Sequence, residues 1–129
     1  MNRNSDQPLS ILIVDDDRMC RRILEVLLKQ LGHDADMAED AEEALSKATK
    51  NRYDIIFLDI GLPNTSGIDF AKSIRFEYKQ DAVLVATTGH VLDTDHGRYD
   101  SAGISFVFEK PIDFEKLEQF MADYVAVRS

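Results

Sequence analysis

Three consecutive aspartates, Asp15, Asp16 and Asp17, close an apolar run from Ile11 to Val14, and a second apolar run, Ile55 to Leu58, closes on Asp59. If the two runs lie side by side as parallel strands, several carboxylates meet at one edge of a sheet. Two carboxylates roughly 6 Å apart repel by about 3 kcal/mol at an effective dielectric near 20. A cluster of three is costly without a counterion, so the pattern invites a divalent cation.

The elements that must position these carboxylates alternate along the chain. Ile11 to Val14, Ile55 to Leu58 and Val83 to Ala86 are short continuous apolar runs rich in β-branched residues, the form of strands buried on both faces of a parallel sheet. Asp36 to Ala38 is half polar and suits an edge, and Phe106 to Phe108 is strongly β-favouring. Between them, Cys20, Ile23, Leu24, Leu27, Leu28 and Leu31 recur at helical spacing, with Asp17 placed as the N-cap and Gly32 as the stop.

Asp40 with Glu43 forms a capping-box pattern before Ala44, Leu45 and Ala48, and a third helix starts at Ser66 or Gly67. Phe114, Leu117, Phe120, Met121, Tyr124 and Val125 form the last stripe. The segment from Asp93 to Ser101 is the weakest helix, because Gly97 interrupts it, and it is expected to be short and mobile. Five strands alternating with five helices indicate an α/β fold around a parallel sheet, with function gathered beyond the carboxyl ends of the strands. Those ends carry Asp15 to Asp17, Asp59 with Gly61, Thr87 to Gly89, and Lys110 with Pro111.

Composition narrows the function classes. The 129 residues fit one domain, expected over residues 9–126 between tails at 1–8 and 127–129. Fifteen basic against 24 acidic residues give a net charge of −9, which argues against direct nucleic-acid binding and against an anionic membrane surface. A single cysteine, no signal peptide and no apolar run near ~20 residues indicate a soluble protein of a reducing cytoplasm. Cys20 reads as core rather than a redox site because it lies on an apolar stripe, and Arg18, Arg21 and Arg22 read as a solvated face in preference to a surface that steers an acidic partner toward the site.

The segments IVDDD at 13–17, LDIGLPNTSG at 58–67, ATTGH at 86–90 and FEKP at 108–111, in this order at four strand ends, closely resemble the receiver domain of two-component response regulators. The resemblance implies a flavodoxin-like sheet of order 2-1-3-4-5 and a phosphoryl group carried on Asp59. It implies that Asp16, Asp59 and the Gly61 carbonyl hold Mg²⁺, with Asp15 completing the pocket mainly through metal-bound water. Thr88 would hydrogen-bond a phosphoryl oxygen and Lys110 would pair with another; Thr88 is preferred to Thr87 because Gly89 follows it and its spacing to Lys110–Pro111 fits the family better.

The same resemblance implies a cis Lys110–Pro111 peptide and a switch coupling Thr88 to the position of Val107. The family commonly has an aromatic residue there, so Val107 is a departure. His90 is either an exposed loop histidine or a modulator of phosphoryl lifetime.

The chemistry needs these residue types on its own terms. Mg²⁺ takes oxygen ligands and retains waters, which suits carboxylates and a carbonyl. Phosphoryl transfer is mostly positioning and charge stabilisation, and an aspartate ionised near neutral pH is a nucleophile without a base.

The implied partners are a sensor histidine kinase or histidine phosphotransfer protein as donor and a downstream effector protein as target. The implied chemistry is assistance to the domain's own phosphorylation and dephosphorylation, not catalysis on other substrates. A flavodoxin-like cofactor binder would need a Ser, Thr or Gly-rich loop after the first strand, where three acids stand. A haloacid-dehalogenase-type phosphatase would need a second Asp where Gly61 stands. The remaining alternative is a pseudo-receiver, an interaction module that is never phosphorylated.

Overall fold

The computed structural model describes residues 8–62, 66–89 and 96–128. Strands β1 (Ile11–Val14), β2 (Asp36–Ala38), β3 (Ile55–Asp59), β4 (Val83–Thr88) and β5 (Ile104–Glu109) alternate with helices α1 (Arg18–Gln30), α2 (Ala41–Lys50), α3 (Gly67–Lys72), α4 (His96–Ser101) and α5 (Phe114–Arg128). All paired strands are parallel, in the order β2-β1-β3-β4-β5. The expected α/β, flavodoxin-like architecture is therefore present. Because β1 has β2 on one side and β3 on the other, the strand order reverses there, and the ends of β1 and β3 open into one crevice.

Alternation along the strands divides the core into two layers. Leu12, Val14, Ile56, Leu58, Leu84 and Ala86 face α2, α3 and α4, whereas Ile11, Ile13, Ile55, Phe57 and Val85 face α1 and α5. Small residues Ala41, Ala44 and Ala48 let α2 lie close to its layer, while Leu24 and Leu28 of α1 and Leu117 and Met121 of α5 fill the other.

The caps are where the residue pattern places them. Asp17 accepts from the Cys20 N–H at 3.1 Å, Asp40 from the Glu43 N–H at 2.8 Å and Ser66 from the Asp69 N–H at 3.1 Å. Glu43 reaches back to the N–H of Glu39 at 2.7 Å, one residue before the cap, so the box is displaced by one position. Gly32 follows α1 with φ +90, a conformation that a side chain would strain.

Several bounds differ from the expectation. β4 extends to Thr88 and β5 begins at Ile104, because backbone pairing of Thr87 with Phe108 and Thr88 with Glu109 carries polar residues into the ladder. A bulge next to Leu84 and Val85 admits Ser105 as an extra residue, after which Phe106 pairs with Val85. Gly97 lies inside α4, and the expected start of that helix at 93–95 falls outside the described residues. α5 continues to Arg128, past the expected start of a C-terminal tail, although Val127 is 87% exposed.

A π-helical turn, Ser73–Glu77, continues α3. From it Arg75 donates to the carbonyls of Gln80 at 2.8 Å, Ala82 at 2.6 Å and Gly103 at 3.3 Å.

Gly67 opens α3 directly against the end of β3. A Cβ there would lie 2.4 Å from the Asp59 carbonyl oxygen and 2.7 Å from the Ile60 Cα, both rigid backbone. Gly67→Ala is expected to lower stability by about 1–3 kcal/mol, the usual cost of overpacking. Gly89→Ala, with nothing within 4 Å of the added carbon, should change it far less. Urea denaturation of the two variants checks this, and equal midpoints would contradict the close approach.

Candidate functional site

The site is built at the carboxyl ends of β1, β3 and β5. Asp15 follows β1, and its backbone N–H donates to the Ala38 carbonyl at 3.1 Å, extending the pairing with β2. Its carboxylate turns back over the strand end, with Oδ1 accepting from the Asp17 N–H at 2.9 Å. Asp59, the last residue of β3, does the same: Oδ1 accepts from the Gly61 N–H at 3.0 Å. In both, an aspartate bonds the backbone two residues on, the local turn that this side chain favours.

Lys110, just after β5, lies between them. Its Nζ donates to Asp15 Oδ2 at 2.8 Å and stands 3.5 Å from Asp59 Oδ2. Asp15 and Asp59 are buried, and Asp16 beside them is exposed. Carboxylate oxygens of Asp15, Asp16 and Asp59 lie within 4.8 Å of one another. Three carboxylates against one ammonium leave an excess of two negative charges on this spot.

The electrostatics follow from that crowding. Burial pushes the Asp59 carboxyl above the ordinary carboxylate value, and the charge of Asp15 adds to the effect; the Gly61 N–H and Lys110 oppose it without cancelling it. Burial pulls the Lys110 ammonium down, but its hydrogen bond to Asp15 and the charges of Asp59 and Asp15 outweigh this. Lys110 therefore holds its proton more tightly than an ordinary lysine.

Thr88 ends β4, and its carbonyl accepts the Lys110 N–H at 2.7 Å, which ties the lysine's backbone to the threonine. Thr87, the neighbour not preferred from the sequence, is buried and lines a cavity on the α1 side of the sheet. Val107 packs partly buried on the opposite layer. The aromatic residues that flank it point the other way, and Phe106, Phe108 and Phe120 form a cluster, with centroids of Phe106 and Phe120 4.8 Å apart. The Lys110–Pro111 peptide is cis, as the resemblance implies.

Not every sequence reading concerns the site. Asp17 caps α1, Cys20 is half-buried with its thiol pushed up by burial, and His90 lies outside the described residues. Arg21 is not a purely solvated residue, since its Nη1 donates to the Asp15 carbonyl at 2.7 Å. That contact and the close approach of Gly67 were not read from the sequence. For Gly67 a signal existed in a glycine set immediately after a Ser cap; for Arg21 the helical spacing from Asp17 carries none.

A sequence profile of the response regulator receiver domain matches residues 11–122. The two-component response regulator PhoP of Pseudomonas aeruginosa is 34% identical over 85% of this chain and 48% of its own. The sensor histidine kinase RcsC of Salmonella typhi is 31% identical over 94% of this chain and 13% of its own. The chain thus spans about half of the first relative and a small part of the second. Among solved structures, the chemotaxis protein CheY4 of Vibrio cholerae superposes with a TM-score of 0.84 at 25% identity, covering 92% of this chain and 99% of its own.

The direction of the Asp59 shift has a measurable sign. An acid whose value is raised on folding binds its proton more readily in the folded chain, so it costs stability as pH rises from the ordinary carboxylate value through the raised one. Asp59→Asn removes that cost. In metal-free buffer with chelator, the variant is expected to melt above the wild type at pH 7, with the gap closing as pH falls below the ordinary carboxylate value. A wild type that melts higher at pH 7 would show that the pairing with Lys110 outweighs burial.

Proposed function

The chain belongs to the response regulator receiver domain family, and on that premise we propose that Asp59 accepts a phosphoryl group from a phosphohistidine with the help of Mg²⁺. The observation that carries the reading is the cluster itself: three carboxylates whose oxygens lie within 4.8 Å, relieved by a single lysine. Octahedral Mg²⁺ with bonds near 2.1 Å brings its ligand oxygens to about 3–4 Å from one another, so the cluster needs only a small contraction to fit. The charge left over by Lys110 matches a divalent ion. Asp16, Asp59 and the Gly61 carbonyl are the proposed ligands, with Asp15 acting mainly through metal-bound water.

In the transfer, an Asp59 carboxylate oxygen forms a bond to phosphorus as the phosphorus–nitrogen bond of the donor breaks. The electron pair leaves with the imidazole. Lys110 already stands against Asp59 Oδ2, so its ammonium meets an incoming phosphoryl oxygen with little rearrangement. The Thr88 hydroxyl donates to another of these oxygens. Bound Mg²⁺ would supply the remaining charge neutralisation as negative charge gathers on the transferred group.

The donor in this reading is a sensor histidine kinase or a phosphotransfer protein in the cytoplasm. The output is a shift in the population of a surface formed by α4, β5 and α5, read by an effector protein. The net charge of −9 favours a protein partner over nucleic acid. No helix among the described residues is long and apolar enough to cross a membrane. Val107 in place of an aromatic residue makes the coupling from Thr88 to that surface an aliphatic one.

Intact-mass spectrometry after incubation with acetyl phosphate tests the reading. The wild type is expected to gain one phosphoryl group only with Mg²⁺, Asp59→Asn none, and Lys110→Ala to react about 10²-fold more slowly, the scale for loss of one transition-state donor. No gain in a folded wild type would favour the pseudo-receiver. Separately, millimolar Mg²⁺ should raise the melting temperature of the wild type, since a ligand of the folded state stabilises it.

A further inference from the structure

The three carboxylates of the cluster are not held alike. The Asp15 side chain is fixed by Lys110 Nζ at 2.8 Å and by the Asp17 N–H at 2.9 Å, and that of Asp59 by the Gly61 N–H at 3.0 Å with Lys110 at 3.5 Å. Asp16 is exposed, and among the described residues none donates to its carboxylate. Its place is therefore set by the backbone on either side of it.

A peptide unit is planar, so a bond to its N–H or its carbonyl constrains the direction in which the next Cα leaves. Asp16 lies between two such units. The one that joins it to Asp17 is held at its N–H by Asp15 Oδ1, and the one that joins it to Asp15 is held at its carbonyl by Arg21 Nη1 at 2.7 Å. Arg21 is well fixed for this task. It is partly buried, its own N–H donates to the Asp17 carbonyl at 3.0 Å at the start of α1, and it lines a small cleft with Met37 and Ala38 of β2.

Charge and position act in opposite senses here. The guanidinium is a cation one peptide away from a cluster suited to a cation, so its charge alone weakens the binding of a second one. Its hydrogen bond strengthens binding, because a ligand already held in place has less freedom to lose when the metal arrives. Groups that orient the ligands of a metal are worth about 10–100-fold in affinity, whereas the charge of a partly exposed side chain is screened. Resting on the Mg²⁺ reading above, we propose that Arg21 is a positioning residue for the metal: its bond to the Asp15 carbonyl sets the place of Asp16, and Mg²⁺ binds more tightly for it despite the like charge.

Titration of Mg²⁺ into the unphosphorylated ¹⁵N-labelled chain, followed through the amides of residues 15–17 and 59–61 without any phosphoryl donor, tests this. Arg21→Met, of similar reach but without a donor, is expected to weaken Mg²⁺ binding about tenfold. Arg21→Gln, shorter and uncharged, serves should Arg21→Met not fold. Arg22→Met removes the same charge from the neighbouring position, where the side chain bonds Glu25 instead, and Arg75→Met removes the three carbonyl contacts at the far end of the sheet. Neither should weaken Mg²⁺ binding, although Arg75→Met should melt lower. The proposal is overturned if the folded Arg21 variant binds Mg²⁺ as tightly as the wild type or more tightly, which is the outcome of charge alone, or if Arg75→Met loses as much affinity, which is the outcome of general loosening. A wild type that takes up no Mg²⁺ overturns the metal reading itself, and the wild-type titration shows this without any variant.

Discussion

The ammonium of Lys110, held between Asp15 and Asp59, is the interaction on which the carboxylate-bearing end of the sheet depends. Two buried carboxylates in one crevice would drive each other toward protonation or push their strands apart. A single cation relieves both, but incompletely, because Asp16 adds a third carboxylate at the rim. The arrangement is left charged and slightly frustrated. Removing the lysine would leave the buried carboxylates uncompensated, which costs stability.

The scaffold is arranged to hold that frustration in place. β3 ends on Asp59, Asp15 and Lys110 directly follow β1 and β5, and each is held by a bond with a backbone end: the Asp17 N–H on the Asp15 carboxylate, Arg21 Nη1 on the Asp15 carbonyl, the Gly61 N–H on the Asp59 carboxylate, and the Lys110 N–H on the Thr88 carbonyl. These are backbone-directed bonds, so they fix position without removing charge from the cluster. The parallel ladder adds stiffness, since Asp59 pairs with Thr87 and Thr88 with Glu109 at the very ends of their strands.

Much of this was legible in the residues. Continuous apolar runs located the buried strands, helical stripes located α1, α2 and α5, and the polar residues at strand ends named the site, because a parallel sheet concentrates its chemistry there. What escaped were features without a periodic or compositional signature. The bulge at Ser105 depends on the register between β4 and β5, the π-helical turn on one extra residue in a helix, and the Arg21 contact on where a carbonyl happens to point. The exposure of Ile23 is of the same kind: its spacing is that of a core residue, yet it stays half-exposed.

Arg75 sits at the end of the sheet opposite Asp59. By donating to the carbonyls of Gln80, Ala82 and Gly103, it fastens the chain entering β4 to the chain entering β5. These two strands are therefore clamped at the root by a side chain, whereas at the tip they are joined through the backbone, up to the Lys110 N–H on the Thr88 carbonyl. A push delivered at Thr88 or Lys110 cannot be absorbed by sliding the strands along their length, so it must appear as bending at the tip. The length of strand left to bend is set by a single guanidinium group on the far side of the molecule.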